Sequence, residues 1–227
     1  MSGLKEAKNI YEQGLLEPVT GRTLRPGGYK LTEEALGLCA FPENAAILDL
    51  GCGSGATVQL LREKYSLDAR GLDISEEMIR RGKCICPELP LVQGDAHKLP
   101  FANNEWHGVF MECSFSLFLE QERVLTEINR VLKKDGKVVI SDFYYRQRAG
   151  KTKADIIELI EKSGFKLDIW LEKSEYLHQL VADCILNDLS MDLLWCCMLN
   201  KEENKGCTKE EIKRWKPGYF LLIASKC

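Results

Sequence analysis

The residues best placed to do chemistry are three glycines and an acid. Gly51, Gly53 and Gly55 alternate in Ile47-Leu48-Asp49-Leu50-Gly51-Cys52-Gly53-Ser54-Gly55, and Asp73 ends a second apolar run, Ala69-Arg70-Gly71-Leu72-Asp73-Ile74. Glycines belong where a backbone must turn sharply or approach a ligand, because a Cβ would clash there. A carboxylate about 20 residues beyond the first glycine suits a ribose diol, since it accepts both hydroxyl hydrogens. The turn by itself fits two fingerprints. Gly51, Gly53 and Ala56 read as the dinucleotide pattern G-x-G-x-x-A, while Gly51, Gly53 and Gly55 read as G-x-G-x-G.

The elements that must position these residues follow from the apolar patterning. Ile47, Leu48 and Leu50 form a short run typical of a strand covered on both faces. Ala56 to Tyr65 is then a helix, Ala69 to Ile74 a second strand, and Ser75-Glu76-Glu77 caps a further helix. Leu89–Gln93, Trp106–Met111 and Lys137–Phe143 are the next strands, Phe165–Leu171 the sixth and Tyr219–Ser225 the seventh. Helices are expected over Thr32–Cys39, Gln121–Leu132 and Lys153–Ser163, the last stopped by Gly164. Strands alternating with helices of this length predict an α/β fold with a mostly parallel, doubly wound sheet and helices on both faces. The long gap from Lys173 to Lys216 carries two apolar helical faces, one on Tyr176, Leu177, Leu180, Val181 and Cys184, the other on Leu193, Leu194, Trp195 and Met198.

At 227 residues the chain suits one domain with a substantial core. We divide it into an N-terminal flap (1–30), a crevice-bearing core (31–172), a helical insertion or cap (173–216) and a last strand (217–227). The net charge of −3 argues against a general nucleic-acid binder and favours a small-molecule substrate. No apolar run approaches the ~20 residues of a membrane span, and the charged N-terminus lacks the apolar core of a signal peptide. A cytoplasmic location is expected. The ten cysteines include no C-x-x-C pair, so no metal site is expected and free thiols are the simplest reading.

Two further strings narrow the ligand: Gly94-Asp95-Ala96-His97-Lys98-Leu99-Pro100-Phe101 after the third strand and Arg130-Val131-Leu132-Lys133-Lys134-Asp135-Gly136-Lys137 before the fifth. With the Ile47–Gly55 stretch they resemble, in order and spacing, the Rossmann-like, seven-stranded class I S-adenosylmethionine-dependent methyltransferases. Within that family the details look closest to a group of uncharacterised bacterial methyltransferases, through Arg25-Pro26-Gly27-Gly28, Glu112-Cys113-Ser114 and Ser141 to Arg146. The resemblance covers residues 30–171 well and the last strand more loosely. Two departures are Lys134-Asp135-Gly136, where Pro-Gly-Gly is common, and His107, where an aspartate is common.

The resemblance implies S-adenosyl-L-methionine as cofactor. Gly51, Gly53 and Gly55 would lie against its methionine part, with Asp49 on its amino group. Asp73 would bind the ribose, Ile74 pack on the adenine, and Asp95 and Ala96 bond to its edge. Glu112 and Cys113 would face the sulfonium. Methyl transfer needs a base only if the acceptor must lose a proton. Glu112 is read first as a cofactor contact and second as that base, followed by His107 and Asp142. Tyr29 in the flap, Tyr144 and Arg146 are the candidate substrate contacts, Arg146 for an anionic group. Alternatives are a cofactor-binding partner protein without catalysis, a thiol or metalloid methyltransferase using Cys113, Cys196 and Cys197, and a nicotinamide oxidoreductase, disfavoured by the two later strings.

Overall fold

Strand residues divide between two apolar layers, as a period of two requires. Ile47, Phe110, Val139, Leu221 and Ile223 pack into one cluster, while Leu48, Leu50, Val109, Met111, Val138, Ile140, Phe220 and Leu222 pack into the other. The strands are β1 (Ala46–Leu50), β2 (Asp68–Asp73), β3 (Leu91–Gln93), β4 (Trp106–Glu112), β5 (Leu132–Tyr145), β6 (Phe165–Glu172) and β7 (Pro217–Lys226). The computed structural model describes residues 11–147, 151–189 and 214–227.

The seven strands form one sheet in the order β3-β2-β1-β4-β5-β7-β6. Pairing is parallel throughout except at β7, which runs antiparallel to both β5 and β6. The strand order reverses between β1 and β4. An open sheet of this kind forms a crevice there, outside the carboxyl ends of the strands.

Among the described residues, six helices of ten residues or more accompany the sheet: α1 (Gly28–Cys39), α2 (Ala56–Tyr65), α3 (Glu76–Ile85), α4 (Gln121–Val131), α5 (Lys153–Lys162) and α6 (Ser174–Leu186). The caps follow local chemistry. Ser75 accepts the Met78 N–H at the head of α3, and Thr152 with Asp155 forms a capping box on α5. The first helix departs from expectation. It begins at Gly28, not at Thr32, because the Pro26-Gly27 turn already directs the chain into it, and Thr32 lies buried inside. Asp135-Gly136 lies between the helix expected to end at Leu132 and the strand expected to begin at Lys137. It is an irregularity within β5, where the ladder passes from Trp106–Leu132 to Gly108–Lys137.

Of the insertion, the first expected face is observed: Leu177, Leu180 and Cys184 are the buried side of α6. The second, Leu193 to Met198, lies outside the described residues. No helix among the described residues is long and apolar enough to cross a membrane.

Candidate functional site

The glycine turn is shaped by what it must pass. Gly51 follows β1 at φ 76°, and a Cβ there would sit 2.4 Å from Cβ of Ser114. Ser114 in turn donates its hydroxyl to Leu50 O at 2.6 Å, which ties the ends of β1 and β4 together. Gly55 serves a different purpose from the one expected. It heads α2 at φ 76°, a Cβ would meet Leu91 at 2.8 Å, and it is not part of the cavity wall. Its place on the cofactor is therefore corrected: the third glycine lets α2 pack on β3.

A cavity of about 380 Å³ opens at the carboxyl ends of β1, β2 and β4. Asp49, Gly51, Gly53, Asp73, Ile74, Asp95, Ala96, Glu112 and Cys113 all contribute to its wall. Backbone amides aim the carboxylates. Asp73 accepts from Gly53 N–H and Ser75 N–H, each at 2.8 Å. Asp95 accepts from the His97 amide at 2.9 Å and lies 2.6 Å from its Nδ1. Burial alone would raise the Asp95 carboxyl, but the His97 amide and ring outweigh it and hold it below the usual range.

Asp49 shows the opposite balance. It is 3% exposed, and its carboxyl is pushed up to about 8, chiefly by burial and next by the nearby charge of Glu112. Arg25 opposes that shift without cancelling it. The floor of the cavity is thus short of positive charge.

Glu112 is held by three side chains: Arg25 Nη2 at 2.7 Å, Thr32 Oγ1 at 2.8 Å and Thr57 Oγ1 at 2.9 Å. Arg25 itself is 5% exposed, and its Nη2 also donates to Thr32 and Thr57. Its Nε is buried with no hydrogen-bond partner among the described residues, as is Nε of Arg22. Arg22, Arg25, Thr57, Tyr11, Glu12 and Ser114 line the cavity; the sequence places Arg25, in the flap, and Ser114, after Glu112-Cys113, on the acceptor side of the pocket and gives the other four no role there. Nothing local in the sequence marks the contacts of Arg22 or Arg25, since an arginine in a Pro/Gly loop looks solvated until the loop is folded against the sheet.

Other expected residues lie elsewhere. His107 sits at the opposite end of β4, where its Nδ1 accepts Ala46 N–H at 2.9 Å and its Nε2 lies 2.9 Å from Lys133 Nζ. Burial, then the Lys133 charge, lowers its pKa. The choice of His107 as a base is corrected on this geometry: a histidine at the amino end of a parallel strand cannot reach a crevice at the carboxyl ends. Its role is to satisfy the first amide of β1. Tyr29 is 40% exposed on the first turn of α1 and outside the cavity wall. Tyr144 donates its hydroxyl to Glu172, which also pairs with Arg146 at 3.1 Å, and neither Tyr144 nor Arg146 lines the cavity. Asp142 accepts from Ser116 N–H, Ser116 Oγ and its neighbour Phe143 N–H, and burial pushes it up to about 6. Cys113 and Cys52 are in the wall, and burial drives the Cys52 thiol well above its usual value. Cys196 and Cys197 lie outside the described residues, among which no metal-holding cluster occurs.

Comparison with known proteins agrees with this arrangement. Residues 48–140 match the family described as methyltransferase domain. A demethylmenaquinone methyltransferase of Thermotoga maritima is 36% identical over 95 residues, 41% of this chain and 42% of that protein. The chain thus spans less than half the length of this curated relative. Among solved structures, the geranyl diphosphate C-methyltransferase of Streptomyces coelicolor A3(2), in complex with S-adenosyl-L-homocysteine, superimposes with a TM-score of 0.72 at 12% identity, covering 88% of this chain and 79% of that one. The phosphoethanolamine N-methyltransferase 2 of Haemonchus contortus, in complex with S-adenosyl-L-methionine, gives 0.69 at 17% identity, covering 97% of this chain and 57% of that one. Residues 48–140 thus match a methyltransferase domain, and the chain shares the fold of solved S-adenosylmethionine-dependent methyltransferases.

Proposed function

We propose that the protein transfers a methyl group from S-adenosylmethionine to a small-molecule acceptor by in-line displacement. The observation that carries this is the charge balance of the cavity. Asp49, Asp73 and Glu112 gather in its wall, and Asp49 is raised to about 8, first by burial and then by the charge of Glu112. S-adenosylmethionine is cationic at its sulfonium and amino groups, while a pyrophosphate-bearing dinucleotide would add negative charge.

When bound, the cofactor supplies a methyl group on a good leaving group. The chain's own residues bind and orient. Asp49 would take the amino group, Asp73 the ribose hydroxyls, and Ile74, Asp95 and Ala96 the adenine. Arg22 and Arg25 in the wall would supply positive charge near the carboxylate end. Gly51 and Gly53 give the backbone room beside it. Alignment of this kind contributes up to roughly 7–11 kcal/mol of barrier lowering.

The family match lies over residues 48–140, so it supports the donor half of the reaction more than the acceptor. The quinone named in the Thermotoga relative indicates a small organic acceptor as the class to try first. Tyr144 and Arg146 remain candidates for the acceptor side, beside α6, with the insertion as a cap on a single domain. The seven free thiols among the described residues suit the reducing cytoplasm we assign it to.

Titration calorimetry with S-adenosylmethionine, S-adenosylhomocysteine and NAD tests the donor. Both sulfur compounds are expected to bind and NAD to give no heat of binding. Binding of NAD alone would overturn the assignment.

A further inference from the structure

Residues 11–25 contribute one wall of the cavity, are anchored by the buried Leu16 and Leu24, and carry three polar fastenings. Near its start, Glu12 accepts from the Ser75 hydroxyl at 2.6 Å, next to the Asp73 carboxylate. In its middle, Arg22 donates to Ser54 O at 3.0 Å and to Gln59 Oε1 at 2.7 Å. At its end, the buried Arg25 pairs with Glu112. The first two fastenings are partly solvated, and the third is not. Side chains of Arg25 and Glu112 are 4% and 3% exposed. Glu112 meets three donors there, so it has little capacity left to take a proton from an acceptor.

Resting on the cofactor assignment above, we propose that residues 11–25 are a strap that opens to admit and release the cofactor, with Arg25–Glu112 as its latch and Glu112 as a positioning residue. The segment forms no strand and runs into α1 through the Pro26-Gly27 turn, so it can lift without breaking a strand pair, exposing Leu16 and Leu24 as it does. A buried ion pair suits a latch because it is strongly coupled: removing one partner leaves the other charge uncompensated, while the closed pair adds little net stability. The cofactor would fasten the strap from inside, since Arg22 and Arg25 both line the cavity.

Trypsin reads the strap directly. It can cut after Arg22 only when that side chain leaves Ser54 and Gln59, and it does not cut after Arg25, because Pro26 follows. The experiment measures cleavage at Arg22, with fragments identified by mass, and the dissociation rate of S-adenosylhomocysteine by stopped flow. Wild type, Glu112→Gln and the conservative Arg25→Lys are compared, each checked by thermal unfolding. S-adenosylhomocysteine is expected to slow cleavage of the wild type by about tenfold or more. Glu112→Gln is expected to speed cleavage without cofactor and to raise the dissociation rate by about tenfold, with Arg25→Lys between. If Glu112 only touches the cofactor, the variant weakens binding and leaves cofactor-free cleavage unchanged. If it is a base, neither cleavage nor dissociation moves and only methyl transfer is lost. Either result overturns the latch. Failure of folded wild type to bind S-adenosylhomocysteine would instead overturn the cofactor assignment on which it rests.

Discussion

The two halves of the top edge of the sheet treat their polar groups in opposite ways. At β1, β2 and β4, backbone amides aim carboxylates into a cavity: Gly53 and Ser75 hold Asp73, and the His97 amide holds Asp95. At β5 and β6, side chains satisfy each other: Tyr144, Arg146 and Ser174 converge on Glu172, outside the cavity. The first arrangement has unspent capacity for a ligand. The second is already neutral and paired. In the function proposed above, the first would be the donor half, with its chemistry built into the turns, and the second the acceptor half, dependent on contacts between distant side chains.

Asp73→Ala should break the donor half most severely. It removes a charged acceptor from two amides and from the ribose, and hydrogen bonds to charged groups are worth about 1.5–3 kcal/mol each. Affinity for S-adenosylhomocysteine should fall by about 100-fold in calorimetry.

Asp49→Asn should cost about tenfold and change the pH dependence as well. In the free protein this carboxyl sits near 8, so at pH 7 it is mostly protonated. A cationic amino group lowers it, and binding at pH 7 expels a proton. Affinity should therefore rise from pH 6 to 7.5, and calorimetry in buffers of different ionisation heat should count the proton released. Both effects should vanish in Asp49→Asn. The same raised carboxyl makes the free protein hold a proton that the unfolded chain gives up near pH 4. Its contribution to stability is full below that point and is lost as pH rises towards 8.

His107→Ala sharpens the comparison from the opposite edge. It leaves Ala46 N–H without its acceptor, so stability should drop by about 1–3 kcal/mol in a denaturant titration. Cofactor affinity should stay unchanged. Arg146→Ala should have the smallest effect on both. Its pair with Glu172 is about half solvated, and such pairs contribute about 0–1 kcal/mol. Cofactor affinity should not move beyond about twofold, whereas a fall in turnover with the true acceptor would place Arg146 in the acceptor half.

Legibility in the sequence follows the same division. The strands, the crevice between β1 and β4, and the carboxylates at 49, 73 and 95 are local features, set by a run of apolar residues and the turn after it. A flap over the crevice around Arg25 was legible as a pliable loop, but the contacts of Arg22 and Arg25 were not, because their partners Ser54, Gln59, Thr57 and Glu112 are far away in the chain. Thr32 looked like a helix cap for the same reason: a hydroxyl near a helix start is a cap by local rules, yet here it serves a buried ion pair. His107 shows the limit of residue type as a guide. Its ring nitrogen is a backbone acceptor, and only its strand end decides that.

The central claim is methyl transfer to a small molecule. Its most direct test is incubation of the protein with methyl-labelled S-adenosylmethionine and a cell extract, followed by separation of the label by size and mass identification of the product. The account predicts a labelled small molecule whose formation is lost in Asp73→Ala. Label confined to protein or nucleic acid, or no transfer by a protein that binds the cofactor, would contradict it.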